Sequence, residues 1–551
     1  MASKASIPKG TRDFSPLEVS RRQYIISAIE KHFKTFGFQP IETPTFENSE
    51  TLMGKYGDEG DRLIFKILNS GDFLKNSRDL LKLNYFISEI FNSKELKYSK
   101  NSENVIINYL YTEADKFITD PQIIDRLKQL IPKFDLEIRD FISEVRLKIQ
   151  KYGDNKIQED GDNRSLIQPD INILISKIVI NPLSTQISEK ALKYDLTVPF
   201  ARYVVQHQNE IDFPFKRYQI QSVFRADRPQ KGRFREFLQC DADVIGSDSL
   251  WQEVEFIQLY DAVFSSLGLE GVTIKMNNRK ILSGLAEVIE ESDKLIDFTV
   301  ALDKLDKIGE EGVKKEMLDK GISENALKNI QPIFSLEGDF STKIKLLKSL
   351  LSNSEVGQKG IQELEFIEKA LQSLPLKMAK LDLDVTLARG LNYYTGAIFE
   401  ISAPEKVKMG SIGGGGRYDD LTGIFGLKNK MSGVGVSFGL DRIYLVLEEL
   451  DLFPKAIEES TKVLFINFGE KEALYALKAV NALRTSFVAA ELYPDAAKMK
   501  KQMTYADKRN IPFVVLAGDT EMQSKVYNLK DMKSGDQESL NLEELINKLS
   551  N

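Results

Sequence analysis

FKRYQIQSVFRADRPQKGRFREFLQCDADVIG, residues 215–246, is the most informative part of this sequence. Two runs of alternating apolar and polar residues flank a short arginine-rich loop, which predicts a β-hairpin. In the second run Gln239, Asp241 and Asp243 share one strand face, and apolar residues occupy the other. The polar face suits a cationic ligand, and the guanidinium groups of the loop suit phosphate. The hairpin therefore indicates an enzyme that joins an amino compound to a nucleotide, with a salt-bridged surface hairpin as the alternative.

Composition narrows the class of protein. With 551 residues the chain is too long for one hydrophobic core, so several domains are expected. Its single cysteine, Cys240, excludes a disulfide framework and is expected to be a packed thiol. Only two histidines occur, which argues against a multi-histidine metal site or a Ser-His-Asp triad. The net charge of −7 does not indicate nucleic-acid binding, although a local basic patch can act independently of the total.

The sequence carries no membrane signal. No apolar run approaches the length of a bilayer span, and the N-terminus lacks the apolar core of a secretory signal. The scarcity of cysteine fits a reducing compartment. We therefore expect no membrane association and a cytoplasmic location.

The hairpin resembles motif 2 of the class II aminoacyl-tRNA synthetases, in the form found in histidyl-tRNA synthetases. Five more segments resemble signatures of that family in the same order, and several long motifs in register are more specific than one glycine-rich pattern. They are the N-terminal signature KGTRDFS (9–15), the amino-acid-binding segment YDLTVPFARY (194–203), the two histidine-specific motifs LARGLNYYTGAIFE (387–400) and GSIGGGGRYDD (410–420), and motif 3, GVGVSFGLDR (433–442).

The resemblance implies a fold and a domain order. We expect an α+β catalytic domain built on an antiparallel sheet, with helical insertions, followed by a C-terminal α/β anticodon-binding domain. The alternation of strands and helices near the C-terminus independently favours an α/β unit there. The expected catalytic segments are 1–70 with motif 1, 191–275 with motif 2, and 379–453 with the histidine motifs and motif 3. The expected insertions are 71–190 and 276–378, both mostly helical, and the anticodon-binding domain is expected at 461–551.

Two segments bear on partners. An amphipathic helix at 17–36 resembles part of motif 1, which builds the dimer interface in the family, so a homodimer is expected. Residues 71–190 form a longer connection than is usual in the family and carry an apolar stripe at helical spacing. An appended helical subdomain is the simpler interpretation of this insertion, and a lid or an RNA-contacting element is the alternative.

The resemblance also implies a two-step reaction. L-Histidine and ATP form histidyl-adenylate and diphosphate, and the histidyl group then passes to tRNA(His) with release of AMP. The first step joins two anions, so its catalysis rests on positioning and on stabilising charge at phosphate. ATP is expected as a substrate with Mg²⁺ on its phosphates. No prosthetic group and no metal site made by protein side chains are expected.

Four arginines are assigned to ATP and catalysis through the resemblance. Arg225 is expected on the α-phosphate and the substrate carboxylate. Arg233 and Arg442 are expected on the outer phosphates or the adenine, where the planar guanidinium is not replaceable by lysine. Arg389 resembles the family's catalytic arginine, on the attack side of the α-phosphate, and a structural salt bridge is the alternative.

Histidine recognition requires a carboxylate for the ammonium group and polar groups for the imidazole ring, and such a site rejects analogues that cannot complete its hydrogen bonds. The residues expected at the ammonium group are Asp195, Thr197 and Gln239. The residues expected at the ring are Asp243, Tyr394 and Tyr393. The chain has Asp at 195 and 243 where some branches of the family carry Glu, and Asn392 where many members have Asp. The glycine-rich stretch 410–418 is expected to form a wall of the pocket.

Contacts to tRNA are expected in two places. Arg228 and Gln230, at the tip of the motif 2 loop, are candidates for the acceptor end. Lys498 and Lys501 lie on a predicted helix with an excess of positive charge in the anticodon-binding domain. Two rival functions remain open: a catalytically silent paralogue that serves as a regulatory subunit, and a class II synthetase for another amino acid.

Overall fold

The computed structural model describes residues 5–71, 187–334, 336–388, 393–419, 421–427, 431–454, 457 and 461–550. Contacts within the chain divide it into two compact units, one formed by 1–11 and 31–443 and the other by 12–30 and 444–551. The helical insertion predicted at 71–190 lies outside the described residues from 72 to 186. The domain boundaries expected from the sequence stay predictions.

Eleven strands belong to the described part of the larger unit. They are β1 (Gln39–Pro40), β2 (Phe46–Asn48), β3 (Lys66–Ile67), β4 (Lys190–Leu192), β5 (Phe215–Phe224), β6 (Glu236–Ile245), β7 (Thr273–Asn278), β8 (Lys380–Leu383), β9 (Ala397–Ser402), β10 (Gly413–Tyr418) and β11 (Gly433–Gly439). Eight of them form one sheet in the order β1-β5-β6-β11-β10-β9-β7-β8, and β2, β4 and β3 form a second sheet. Only the outermost pairs of the large sheet, β1–β5 and β7–β8, are parallel. The antiparallel catalytic sheet expected from the sequence is confirmed.

The two faces of the large sheet differ in chemistry. Side chains alternate between the faces of a strand. Along β6, Cys240, Ala242 and Val244 are buried in the apolar core, which confirms Cys240 as a packed thiol. On the opposite face, Asp241 and Asp243 are also buried, although their side chains are ionisable. Buried carboxyl groups require hydrogen-bond or ion-pair partners, and the residues that supply them form the candidate site described below.

Apart from two helices at the boundaries of the units, the described α-helices of the larger unit precede β7 or lie between β7 and β8 in the sequence. They are Ser49–Leu52, Gly57–Arg62, Thr197–Gln206, Trp251–Ser266, Arg279–Val288, Leu295–Leu302, Leu305–Asp319, Glu324–Asn329, Gln331–Phe334, Phe340–Leu350 and Glu355–Ser373, with short 3-10 turns at Ser292–Lys294 and Gly423–Phe425. The helices predicted within 276–378 are therefore present. Polar side chains cap the N-termini of several helices. Ser323, Asp339 and Ser354 each accept a hydrogen bond from a backbone N–H there.

Two helices contain the boundaries between the units. The first, Pro16–Thr35, corresponds to the helix predicted at 17–36, and the second is Leu440–Glu449. None of the helices in the described part of the chain is long and apolar enough to cross a bilayer.

The smaller unit contains the α/β fold predicted for the C-terminus. Its strands are β12 (Val463–Phe465), β13 (Ala490–Leu492), β14 (Phe513–Leu516), β15 (Tyr527–Asp531) and β16 (Gln537–Leu540), and its helices are Glu470–Thr485, Met499–Lys508, Asp519–Ser524 and Leu542–Ser550. β12 pairs in parallel with β13 and β14, as the strand–helix alternation predicted. The antiparallel addition of β15 and β16 was not predicted, because their sequences carry more charge than the preceding strands.

A buried ion pair joins β10 to the helix Trp251–Ser266. Arg417 Nε and Nη2 donate to the two carboxylate oxygens of Glu253 at 2.5 and 2.6 Å, in bidentate geometry. Arg417 also donates to Ser432 Oγ at 2.7 Å. Glu253 is 0% and Arg417 4% exposed. The pair therefore fixes one end of the glycine-rich strand β10.

We predict that Glu253→Gln lowers the free energy of unfolding of the larger unit by about 3–5 kcal/mol, because it leaves the Arg417 guanidinium buried without its counter-charge. Urea unfolding followed by a probe in that unit measures the loss. The matched control is Glu365→Gln, which breaks the exposed Lys348–Glu365 pair and should cost about 1 kcal/mol or less. Equal losses in the two variants would contradict the prediction.

Candidate active site

Three rows of side chains cross the polar face of the large sheet, because strand register places residues of neighbouring strands side by side. The first row contains Arg217, Asp243, Gly435 and Gly416; the second contains Gln219, Asp241, Ser437, Gly414 and Glu400; the third contains Gln221, Gln239 and Gly439. Carboxylates, amides and glycines thus alternate over one surface. This surface is the floor of the candidate site.

Asp243 is held within the sheet. Its Oδ2 lies 2.6 Å from Arg217 Nη2, and Tyr418 donates its hydroxyl to Oδ1 at 2.8 Å. Its carboxylate lies against Gly435, where any Cβ would stand 1.9 Å from Oδ1. Burial raises the pKa of Asp243, and the Arg217 guanidinium opposes that rise. Asp243 is therefore largely satisfied by the protein itself.

Glycines of β10 and β11 make room for tyrosine rings. A Cβ at Gly416 would stand 2.8 Å from Cδ1 of Tyr394, and a Cβ at Gly433 would stand 2.4 Å from Cε2 of Tyr418. The Tyr393 and Tyr394 rings are 4.9 Å apart and meet edge to face. The glycine-rich stretch thus shapes the pocket indirectly, because its glycines leave space for the tyrosine rings that line it.

Asp195 occupies one corner of the site, just before the helix Thr197–Gln206. Its Oδ1 accepts from the Tyr56 hydroxyl at 2.9 Å and from the Val198 N–H at 3.2 Å. Its Oδ2 accepts from the Tyr393 hydroxyl at 3.3 Å. Burial raises the pKa of Asp195, and these hydrogen bonds oppose the rise. Thr197 also hydrogen-bonds Tyr393, so the predicted ammonium and ring residues are in contact.

Gln239 and Asp241 share the strand face of Asp243, and the charge of Asp195 also acts on Asp241. Gln239 Nε2 donates to Ser437 Oγ at 3.0 Å and reaches Asp241 Oδ1 only at 3.5 Å. Burial raises the pKa of Asp241 to about 7; Arg217 lowers it, and the charge of Asp243 raises it further. The floor therefore concentrates negative charge in a region closed to water.

Arg225 connects the acidic floor to the arginine-rich loop. Its Nε donates to the Tyr194 carbonyl at 3.0 Å, and a second, long contact of 3.5 Å joins Nη2 to Gln239 Oε1. The guanidinium stacks over the rings of Tyr194 at 4.3 Å and Phe237 at 5.2 Å. This stacking fixes the plane of the group, and its other N–H donors have no hydrogen-bond partner among the described residues.

Arg442 and Arg233 extend the positive region. Arg442 donates from Nε to the Gly232 carbonyl at 2.9 Å, so motif 3 touches the motif 2 loop. Burial lowers the pKa of Arg442, and repulsion from Arg233 and Arg225 lowers it further. Three guanidinium groups from separate stretches of the sequence therefore act on one another, an arrangement that polyanions stabilise.

The N-terminal signature supports the same loop. Arg235 donates its backbone N–H to the Gly10 carbonyl at 2.9 Å. Gly10 has φ of +92°, and a Cβ there would stand 2.8 Å from Pro229. Arg228 and Gln230, the residues predicted to contact the tRNA acceptor end, lie exposed at the tip of the loop.

The structure brings most of the predicted site residues together. Arg225, Arg233 and Arg442 interact at one side, and the six predicted histidine-binding residues surround the acidic floor. Arg389 and Asn392 lie outside the described residues, and Lys498 and Lys501 are exposed on the smaller unit. In the portion of the chain that the structure describes, no group of three or more His, Cys, Asp or Glu side chains is arranged to hold a metal ion.

Sequence reasoning missed three residues of the site, which are Tyr56, Arg217 and Ser437. It placed Asp241 on the ligand-facing strand face and Tyr418 in the glycine-rich wall, but it assigned neither a contact. The period-two pattern of β5 placed Arg217 opposite the acidic face of β6, so that signal was available. Tyr56 carried no comparable signal, because its contact with Asp195 spans 139 positions of sequence.

Comparisons with known proteins agree with this geometry. Residues 186–443 match the family model described as Histidyl-tRNA synthetase, and residues 462–551 match the one described as Anticodon binding domain. The histidine–tRNA ligase of Christiangramia forsetii is 63% identical over 541 residues, which cover 98% of each chain.

Two solved structures share the fold. The crystal structure of histidyl-tRNA synthetase from Nostoc sp. PCC 7120 matches with a TM-score of 0.68 and 25% identity, covering 100% of this chain and 99% of that one. A structure from Bacillus halodurans described as an ATP phosphoribosyltransferase regulatory subunit/histidyl-tRNA synthetase matches with a TM-score of 0.62 and 17% identity, over 94% of this chain and 99% of that one. The fold alone thus does not separate an enzyme from a regulatory subunit. The sequence identity over nearly the whole chain does establish the family: this protein belongs to the histidyl-tRNA synthetases.

Proposed function

We propose that the protein ligates L-histidine to tRNA(His) in two steps. In the first, a carboxylate oxygen of histidine attacks the α-phosphorus of ATP, the bond to the bridging oxygen breaks, and diphosphate leaves. In the second, a hydroxyl of the terminal ribose of the tRNA attacks the histidyl carbonyl carbon, and AMP leaves. The observation that carries the proposal is the placement of three interacting arginines beside a buried acidic floor.

The arginines suit the triphosphate. Arg225 is assigned to the α-phosphate and the attacking carboxylate, because it lies between the loop and Gln239. Arg233 and Arg442 are assigned to the outer phosphates or the adenine. Stacking and backbone contacts hold Arg225 and Arg442 before ATP arrives, so charge developing on phosphate meets donors that are already oriented. Mg²⁺ would enter as the ATP complex, bound to the phosphates.

Arg389 is assigned to the attack side of the α-phosphate on the basis of its motif. It lies in the segment that leads to Tyr393 and Tyr394, and the Thr395 N–H that follows donates to the Arg417 carbonyl at 2.8 Å. The buried Arg417–Glu253 pair therefore anchors one end of the segment that carries Arg389.

The acidic floor suits a cationic amino acid. Asp195, with Thr197 and Gln239, is assigned to the ammonium group, because the charge of Asp195 interacts with that of Arg225. Asp243, Tyr393 and Tyr394 are assigned to the imidazole side, where the rings are seated on the glycines of β10 and β11. Burial makes each hydrogen bond selective, because an analogue that leaves one unmade incurs the desolvation cost of the unpaired group.

Binding of tRNA is assigned to both units. Arg228 and Gln230 are exposed beside the arginines assigned to ATP, which suits the acceptor end. Lys498 and Lys501 project from the start of the helix Met499–Lys508 in the unit that matches the anticodon-binding model. We also propose a homodimer formed through the helix Pro16–Thr35 and the adjoining extended segment, and a cytoplasmic location.

Diphosphate exchange into ATP with each of the twenty amino acids tests the reaction. We expect exchange with histidine alone, because only an imidazole completes the hydrogen bonds of the site. Exchange with another amino acid would identify a different synthetase. No exchange with any of them would favour a catalytically silent paralogue.

Gly416→Ala should raise the KM for histidine by about 10- to 100-fold and leave the KM for ATP nearly unchanged, because the new methyl group would stand 2.8 Å from the Tyr394 ring and 2.7 Å from the Ala397 carbonyl oxygen, so that Tyr394 and β10 must shift. Exchange kinetics measure both constants. Gly518→Ala is the control, since its Cβ would meet only the flexible Glu521 carboxylate, at 3.2 Å. An unchanged histidine KM would show that the ring position is not set by this glycine.

Reversing the charges of Lys498 and Lys501 to Glu should reduce kcat/KM for tRNA charging by about tenfold or more at low salt, since contacts to phosphate are lost. Diphosphate exchange should be unaffected, because it requires no tRNA. The matched control reverses Lys471 and Lys478, two exposed lysines on another helix of the same unit. Equal losses in both double variants would indicate general charge attraction in place of a local tRNA contact.

A further inference from the structure

The second row of the polar face has an open position. Asp241 lies beside Ser437, and Ser437 lies beside Gly414 on the next strand. A Cβ at Gly414 would meet, among the described residues, only the Phe399 carbonyl oxygen, at 3.1 Å. In the first row, by contrast, the space over Gly416 and Gly435 is filled by Tyr394 and Asp243. Within the described residues, a ligand group that lies over the floor therefore meets no side chain within 4 Å of the Cβ position at Gly414.

The three buried aspartates of the site, Asp195, Asp241 and Asp243, differ in how completely they are paired. Asp195 accepts three hydrogen bonds of 3.3 Å or less, and Asp243 holds an ion pair and a tyrosine hydroxyl. Among the described residues, Asp241 accepts from the Ser437 hydroxyl and, at 3.5 Å, from Gln239. The charge of Arg217 also lowers the pKa of Asp241, but Arg217 forms its ion pair with Asp243. Asp241 is thus the carboxylate with capacity for a further donor.

A purely structural role does not explain why the Asp241 carboxylate is buried without an ion pair. A carboxylate that is 2% exposed and lacks an ion pair destabilises the folded protein unless it is protonated. Its pKa of about 7 reflects this burial. Unpaired buried charge of this kind is concentrated at functional sites, where a ligand supplies the missing partner.

We propose that Asp241 is a specificity-determining residue that accepts a ring N–H of the bound amino acid in the space above Gly414. This inference rests on the proposed function and adds Asp241 to the residues assigned to the imidazole ring. Asp243, which is paired with Arg217 and Tyr418, keeps its assignment to the same side of the ligand. Asp241 interacts electrostatically with Tyr394 and with Asp195, so it is near both the group assigned to the ring and the group assigned to the ammonium. An imidazole, which presents an N–H at physiological pH, supplies the donor that Asp241 lacks.

Asp241→Asn tests the proposal, with Asp382→Asn as the matched control. Asp382 lies on β8 of the same sheet and pairs with Lys343 at 2.7 Å. In Asp241→Asn we expect the KM for histidine to rise by about tenfold or more, because a charge-assisted hydrogen bond is lost, and the KM for ATP to stay within about twofold. Asp382→Asn should change neither constant. A histidine KM within twofold of the parent value in Asp241→Asn would overturn the proposal.

The thermal stability of the same variant separates recognition from architecture. The folded protein holds the Asp241 proton more tightly than the unfolded chain, so stability falls as the pH rises from about 4 through 7. Asn carries no charge at any pH, and we expect Asp241→Asn to melt at a higher temperature than the parent at pH 8. A lower melting temperature, accompanied by equal rises in both KM values, would indicate a structural role and reject the inference.

Gly414→Ala supplies a second test that leaves Asp241 in place. Its methyl group enters the space assigned to the ring and should weaken histidine binding, measured by calorimetry, by about tenfold or more. Calorimetry also distinguishes two failures. If the parent protein binds histidine but supports no diphosphate exchange, the proposed function fails, and the affinities of Asp241→Asn and Gly414→Ala still decide the present inference. Unchanged affinity in both variants would reject it.

Discussion

The lateral register of β6, β11 and β10 is the constraint on which the site depends. It places Asp243 beside Gly435 and Gly416, so the carboxylate can lie across one strand and the Tyr394 ring across the next. A side chain at Gly435 would overlap the Asp243 carboxylate, and the Arg217 ion pair leaves that carboxylate little freedom to move. A one-residue slip of β11 would turn its core residues toward the ligand. The chemistry of the pocket is therefore a consequence of strand pairing.

Apart from the Arg217–Asp243 pair, a single hairpin separates its negative charges from its positive charges. The β6 end of the hairpin contributes Asp241 and Asp243, and its loop contributes arginines that interact with Arg442 of motif 3. Burial disfavours the charged forms of Asp241, Asp243 and Arg442, so ligand groups of the opposite sign would stabilise both sets. Under the proposed function, an amino acid that carries an ammonium group and a carboxylate, next to a triphosphate, supplies both. The hairpin would then align the two reactants of the first step.

Supporting contacts lie outside the pocket. The Arg417–Glu253 pair fixes β10 at the end where the tyrosines begin, and Gly10 places the N-terminal signature against the motif 2 loop. These residues need not touch a substrate to matter, because a displacement of about 1 Å in a reactive group can cost two orders of magnitude in rate. The presence of such residues in the motifs explains why the motifs extend beyond the groups that meet ATP and histidine.

Local patterns in the sequence determined the hairpin, its polar and apolar faces, the C-terminal strand–helix alternation and the helix at the N-terminus. Period two and period 3.6 arise from backbone geometry, so they are visible in a short stretch of sequence. Family motifs identified the arginines and most of the predicted pocket residues. Only the tertiary structure decided which carboxylate is paired and which is open. Arg217 forms an ion pair with Asp243, Tyr56 donates a hydrogen bond to Asp195, and Asp241 has only weak partners among the described residues. The sequence could not show this, because these contacts join residues as far as 139 positions apart and depend on register and burial.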